Sequence, residues 1–335
     1  MRNICFFTIQ SGVMKPEEEF QGLVARDPEG AVLSTYGFCH RPFSGEPEGF
    51  PIERHTIGEH GETAQVFWLQ EATRAIDKEV LWAAVDEARA AKRGELERDL
   101  THEEDDNLRE AVILKLSADA PIVRKITRAI LYSDGLLAVE ANNYEAGRRV
   151  ARFIARCFET EDGEQPNVKI PEHLLGVVGP ALNEVVRNVD FLDRFESIEI
   201  GSSIQIKDRD TKTTYTVKQG DLRKPEVKQL LDNPDRFVER ISLLCTILGE
   251  DENGYEALVP FVEFNLHKDG CLKGTKWIGP FSDDRATFCD GANSADADTL
   301  SLAESFVTAK YVAILYGHIT EMMKGYLGVD EGGEE

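Results

Sequence analysis

Between Asp77 and Glu140 the periodicity of the chain changes twice, and few folds accommodate that order. Asp77 is a residue type that accepts hydrogen bonds from the first free amides of a helix. Behind it Leu81, Val85, Ala88 and Ala91 recur at helical spacing. That run ends at Leu100-Thr101, where Thr101-His102-Glu103-Glu104 has the spacing of a capping box. Leu108, Val112, Ile113 and Leu116 then mark one side of a second helix, which stops before Pro121. From Ile122 the pattern shortens. Ile126, Ala129, Ile130, Leu131 and Tyr132 lead into the turn Ser133-Asp134-Gly135, and Leu136 to Glu140 returns as the second strand of a hairpin. The order predicts two charged helices inserted into a sheet, a finger carried by a body.

The flanking chain supplies the sheet. Asn3 to Gln10 and Thr63 to Leu69 read as strands, with a short helix over 16–23 and a Pro- and Gly-rich loop over 38–53. Asn142 or Asn143 caps a helix running to about Phe158, its Val150, Phe153, Ile154 and Cys157 turned inward. The acidic, turn-rich stretch 159–166 is the best domain boundary. Beyond it the pattern predicts a helical segment over 172–190, strands over 197–206, 213–217 and 238–248, and a short helix over 225–233. A hairpin pairs 258–266 with 275–278 across His267-Lys268-Asp269-Gly270. A polar acidic loop spans 283–298, and a long amphipathic helix follows over 297–326. Strands and helices do not alternate as βαβ units, so the fold class is α+β.

A net charge of −23 argues against a polyanionic partner, but the charge is uneven. Seven basic side chains stand against three acidic ones between Pro121 and Arg156, and seven against four between Gln205 and Lys228. The distribution therefore matters more than the sum. No apolar run approaches a membrane span, and the N-terminal segment lacks the features of a signal peptide, so the cytoplasm is expected. Cys5, Cys39, Cys157, Cys245, Cys271 and Cys289 are scattered without a CxxC, the pattern of buried thiols rather than of a zinc site.

Arg148, Arg149, Arg152 and Arg156 fall on one helix face, a geometry that follows phosphates along a backbone and is equally that of a solvated amphipathic face. The finger carries Arg89, Lys92, Arg93 and Arg98, yet Glu95, Glu97, Asp99 and Glu103 to Asp106 leave its tip acidic. Asp283, Asp284 and Asp290 match no metal-ligand spacing, and His55, His60, His102 and His318 are at no ligand spacing either. There is no nucleophile elbow, phosphate loop or dinucleotide fingerprint. No enzyme, no metal and no cofactor is expected.

The order of these segments resembles the RdgC family, recombination-associated DNA-binding proteins of bacteria. The likeness is carried by Ala75-Ile76-Asp77-Lys78-Glu79-Val80-Leu81 and by Ala129-Ile130-Leu131-Tyr132-Ser133-Asp134-Gly135-Leu136. Tyr36-Gly37-Phe38, Val217-Lys218-Gln219-Gly220-Asp221-Leu222, the 258–277 hairpin and the helix from Phe306 to Gly317 extend it in collinear order. The resemblance implies an RdgC-like α+β fold with mixed sheets, a projecting helical finger and a three-part horseshoe protomer. Its parts would be a centre domain (1–76 with 119–160), a tip (77–118), a base domain (161–328) and a disordered acidic tail (329–335). It also implies a homodimeric ring around double-stranded DNA, without sequence preference, that limits the access of RecA on the nucleoid.

Phosphate contacts would then come from Arg124, Lys125, Arg128, Arg148, Arg149, Arg152, Arg156, Lys218 and Gln219, and the dimer gate from Ile122 and Val123. RecA or another recombination protein would be a further partner. The chain departs from the family in three places: an acidic rather than lysine-rich tip, Pro121-Ile122-Val123 where the family has an aromatic gate, and Gly220 between Gln219 and Asp221. The acidic tip motivates a second reading, a protein-binding or decoy module acting on a DNA-handling enzyme. A nuclease rests on carboxylate abundance alone.

Overall fold

The computed structural model describes residues 1–10, 13–15, 17–29, 32–42, 51–58, 62–218, 224–250, 255–289 and 297–328. Gln219, His60, Asp290 and the acidic tail lie outside them. The chain opens with β1 (Ile4–Ile9), β2 (Val13–Met14), a 3-10 turn (Glu17–Leu23), β3 (Ser34–Cys39), β4 (Ile52–Thr56) and β5 (Thr63–Arg74). Next come α1 (Lys78–Leu96), α2 (His102–Ser117), β6 (Ile122–Tyr132), β7 (Leu136–Glu140), α3 (Tyr144–Ala155), β8 (Phe158–Glu159) and β9 (Val168–Lys169). The remainder is α4 (Val178–Arg187), a 3-10 turn (Val189–Arg194), β10 (Ile198–Asp208), β11 (Thr214–Lys218), α5 (Pro225–Leu230), β12 (Arg236–Glu250), β13 (Glu256–His267), β14 (Leu272–Trp277), α6 (Pro280–Cys289) and α7 (Ala297–Leu327). The class is mixed α/β, built on an open antiparallel sheet.

Two compact units share this chain: residues 1–16, 40–67 and 128–335, and residues 17–39 and 68–127. The stretch 159–166, expected as a domain boundary, lies within the first unit. β9, just beyond it, pairs with β1, and β1 lies between β7 and β14. The N-terminal strand is thus the seam joining early and late segments.

In the first unit the strand order is β11-β10-β12-β13-β14-β1-β7-β6-β5, with β4 on β5. Successive side chains of a strand point to opposite faces, so register assigns every residue a side. Phe6 meets Tyr316 of α7 at 4.8 Å between ring centroids, whereas Phe7 meets Tyr144 of α3 at 5.4 Å. One face is therefore covered by α7 and the other, over β1 and β7, by α3. Covered on both sides, β1 is apolar almost without a break, and Ile4, Cys5, Phe6 and Phe7 are all fully buried. Each such phenylalanine contributes on the order of 2–3 kcal/mol. β10 instead alternates: Ile204 and Ile206 are buried on the α7 side, while Gln205 and Lys207 are half-exposed on the other.

The second unit holds β3 paired with the later half of β5, and the helical pair α1/α2. Its caps are those the sequence predicts. Asp77 Oδ1 accepts from the Glu79 and Val80 amides, and Thr101 with Glu104 closes a capping box. Arg98 bonds Glu104 and Arg89 bonds Asp105 across the pair, which makes the helices antiparallel. The Arg98 guanidinium and the Thr101 amide hold the Glu104 carboxyl down at about 2. At the C-terminus of α2, Arg74 donates to the Ser117 and Ala118 carbonyls that the helix leaves without partners.

Ile122 and Val123, the expected gate, are the first residues of β6. Two expectations are corrected. The stretch read as an acidic loop begins with α6, which Pro280 starts and Phe281 anchors on Trp277 at 5.1 Å. Helix over 172–190 is confined to α4 at Val178–Arg187 and a following 3-10 turn.

Candidate nucleic-acid interface

α3 shows one face to the sheet and one to solvent. Asn143 Oδ1 accepts from the Ala146 amide at 2.9 Å and starts the helix. Gly147, Val150, Ala151 and Ile154 are buried beneath it. A Cβ on Gly147 would stand 2.9 Å from the Phe7 ring, so the absence of a side chain sets how closely the helix approaches. Arg148, Arg149, Arg152 and Arg156 are exposed on the opposite face. At about 100° per residue they occupy an arc about 100° wide, and from Arg148 to Arg156 they cover about 12 Å. That length corresponds to three or four phosphates of one strand at ~3.4 Å each. Glu145 stands in the same arc in the first turn, where an acid complements the helix dipole. Arg156 lies 5.1 Å over the Phe153 ring.

The same side of the sheet, beyond the reach of α3, is polar. Ladder register places Ser203, Gln205 and Lys207 of β10, Lys218 of β11, Arg240 and Ser242 of β12, His267 and Asn265 of β13, and Lys273 of β14 on it. Among the described residues Lys207, Lys218, Arg240 and Lys273 make no ion pair, whereas the acid Glu263 is engaged by Lys276 at 3.2 Å. Phe237 faces the same way, with Lys268 Nζ 3.8 Å and the Arg209 guanidinium 5.3 Å from its ring centre. Burial lowers the His267 imidazole below its ordinary value, and the neighbouring Lys273 and Arg240 charges add to this against Asp269 and Glu239.

Lys218 and the arginine stripe lie on the same side of the sheet but not next to each other. β11 is five strands from β1, about 24 Å at ~4.8 Å per strand. That is three Debye lengths of ~8 Å at physiological salt, too far for their fields to add. Arg240, His267 and Lys273 occupy the strands between. Sequence reading passed over these three. The available signal was alternation: Arg240 between Val238's inward position and Ile241, and His267 after Leu266, each outward in an apolar strand.

The other expected contacts fare differently. Arg124 and Lys125 belong to the second unit and are exposed. Arg124 is already matched by Asp27 in a two-pronged pair, Nη2 to Oδ2 at 2.6 Å. Arg128 is corrected outright. It is 5% exposed on the α7 side of β6, with Glu304 at 3.9 Å, and burial lowers its affinity for the proton. A guanidinium so placed cannot reach a phosphate. Ile122 is half-buried and Val123 is 57% exposed.

Elsewhere in the first unit Ser305 donates to Glu53 at 2.6 Å and sits 3.4 Å from His55 Nε2. The same Nε2 is 3.4 Å from Glu53, so the imidazole does not relay between the two, and Ser305 is fully buried. The cluster fastens β4 to α7. Among the described residues no group of three His, Cys, Asp or Glu side chains could hold a metal ion, and no helix is long and apolar enough to cross a membrane. Compared with protein-family models and with curated proteins, the chain matches none.

Proposed function

We propose that this chain is a non-catalytic, sequence-independent double-stranded DNA-binding protein of RdgC type. Two copies close into a ring on the duplex, and the occupied DNA is withheld from RecA in homologous recombination. One observation carries the DNA reading. In a chain of net charge −23, cations without ion-pair partners among the described residues gather on one side of one sheet: exposed Arg148 and Arg152 on α3, half-exposed Lys273, Arg240 and Lys207 across the strands, and exposed Lys218. Contacts of that kind hold a backbone and read no bases. The ring rests on the family resemblance and on Val123, a large exposed apolar side chain.

The test is fluorescence anisotropy on duplexes of unrelated sequence, with light scattering on the free protein. Equal binding to all duplexes by a dimer supports the reading. A monomer at micromolar concentration removes the ring, and absence of binding removes the DNA.

A specific observation favours a second reading, a protein-binding module. On α1/α2 most basic groups are tied to acids of the same pair, as in Arg89–Asp105, Arg98–Glu104 and Lys92–Glu95, while Trp82 and Val80 remain half-exposed. That surface suits a protein rather than a phosphate backbone. Pull-down of a RecA-type recombinase in the absence of DNA, lost on Trp82→Ala, would support it.

A further inference from the structure

β1 and β14 run antiparallel with Ile4 opposite Leu272, which sets Cys5 and Cys271 facing each other on the next rung. Both are fully buried, on the side of the sheet where Tyr144 of α3 packs. Their sulfurs are 2.8 Å apart, closer than two non-bonded sulfurs rest. Cys5 also lies 3.6 Å from the Ala141 carbonyl, to which its thiol donates, and this leaves its sulfur to accept from the Cys271 thiol. Opposed residues of antiparallel strands have Cα atoms about 4.5–5.5 Å apart, inside the ~4.4–6.8 Å that a disulfide spans. Bond formation at ~2.05 Å asks the sulfurs to move by less than ~1 Å. Among the described residues no other two cysteine sulfurs are in contact.

We propose that Cys5 and Cys271 are a dithiol–disulfide pair, a reversible covalent fastening of the N-terminal strand to the C-terminal hairpin. It is independent of the DNA reading. The oxidant is a small hydroperoxide. One thiol takes an oxygen from hydrogen peroxide to become a sulfenic acid and releases water. The second sulfur attacks the sulfenic sulfur, and the expelled hydroxide leaves as a second water with the attacking thiol's proton. Two thiols thus lose two electrons and two protons, and one peroxide becomes two waters. The hydrogen bond shared with Cys5, and then burial, push the Cys271 thiol far above its usual range, so reaction proceeds through transient separation of the strands and is slow in the closed fold.

The test starts from reduced protein treated with hydrogen peroxide, once in buffer and once in urea just below the unfolding transition. Remaining thiols are then blocked in denaturant, and the chain is digested without reduction for mass spectrometry. The expected result is loss of two of the six thiols, one cross-linked peptide pair containing Cys5 and Cys271 lighter by two hydrogens, and full recovery with dithiothreitol. The oxidised form should also melt several degrees higher, a gain absent from Cys271→Ala. Six free thiols under both conditions would overturn the proposal, as would a cross-link to Cys39, Cys157 or Cys245.

Discussion

Arg240 and His267 stand directly opposite each other across the β12–β13 ladder, with Lys273 alongside on β14. A neutral imidazole between two cations is where a bound phosphate would change a protonation state. In the free protein His267 is held below 6.5, by burial first and then by Lys273 and Arg240, with Asp269 and Glu239 opposing. A phosphate brings negative charge and raises that value, so binding takes up a proton. Affinity for duplex should therefore rise as pH falls from neutral toward the lowered value of the free protein, and His267→Gln should flatten that rise. The sign for folding is opposite. A depressed imidazole contributes stability above its unfolded value that is lost as pH falls through the folded one. Anisotropy titrations at several pH values, at fixed ionic strength, separate the two.

The arginine stripe is tested by reversal. Arg148→Glu with Arg152→Glu places two acids on an exposed face, where surface changes usually alter stability by less than about 0.5 kcal/mol. Binding should fall at least a hundredfold with the circular dichroism melt unchanged. Arg240→Glu with Lys273→Glu should do the same from the open sheet. Arg98→Glu, on the acidic helical pair of the second unit, should leave DNA affinity within a few-fold. Loss of binding in the Arg98 variant alone would place the interface elsewhere.

Arg128 should separate from this set. Buried beside Glu304, it belongs to the core. Arg128→Ala empties a buried site beneath α7 and removes its contacts there, a change that costs up to about 3 kcal/mol. A chemical denaturation midpoint should move markedly. Residual folded protein should retain the salt dependence of the parent.

The parts legible in the sequence are those fixed by local chemistry. Asp77, Thr101 and Glu104 cap the helices they announce, and Gly135 takes the positive φ, 85°, of the hairpin turn. The hairpin across His267-Lys268-Asp269-Gly270 follows from its turn, although its second strand begins at Leu272 rather than 275, and α7 follows from its period. What could not be read was set by distant partners. Arg128 looks like one of a basic series until α7 is laid against β6 and the strand's alternation turns it inward. Arg240 and Lys273 are far apart in sequence and come to flank β13 on one side of the sheet only because β12, β13 and β14 are adjacent. α6 hides in acidic sequence because its buried anchor, Phe281, is held by Trp277 and Tyr311 rather than by a periodic face.

The most direct measurement is the salt dependence of binding to a duplex of random sequence. Counterion release lowers log affinity by about 0.9 per neutralised phosphate for each unit of log salt. With Arg148, Arg149, Arg152, Arg156, Lys207, Lys218, Arg240 and Lys273 as contacts, the slope per protomer should fall between about −4 and −7. It should become about 2 units shallower in a variant carrying both Arg148→Ala and Arg152→Ala. A slope near zero, or one unchanged in that variant, would contradict a backbone-holding surface built on α3 and the open sheet.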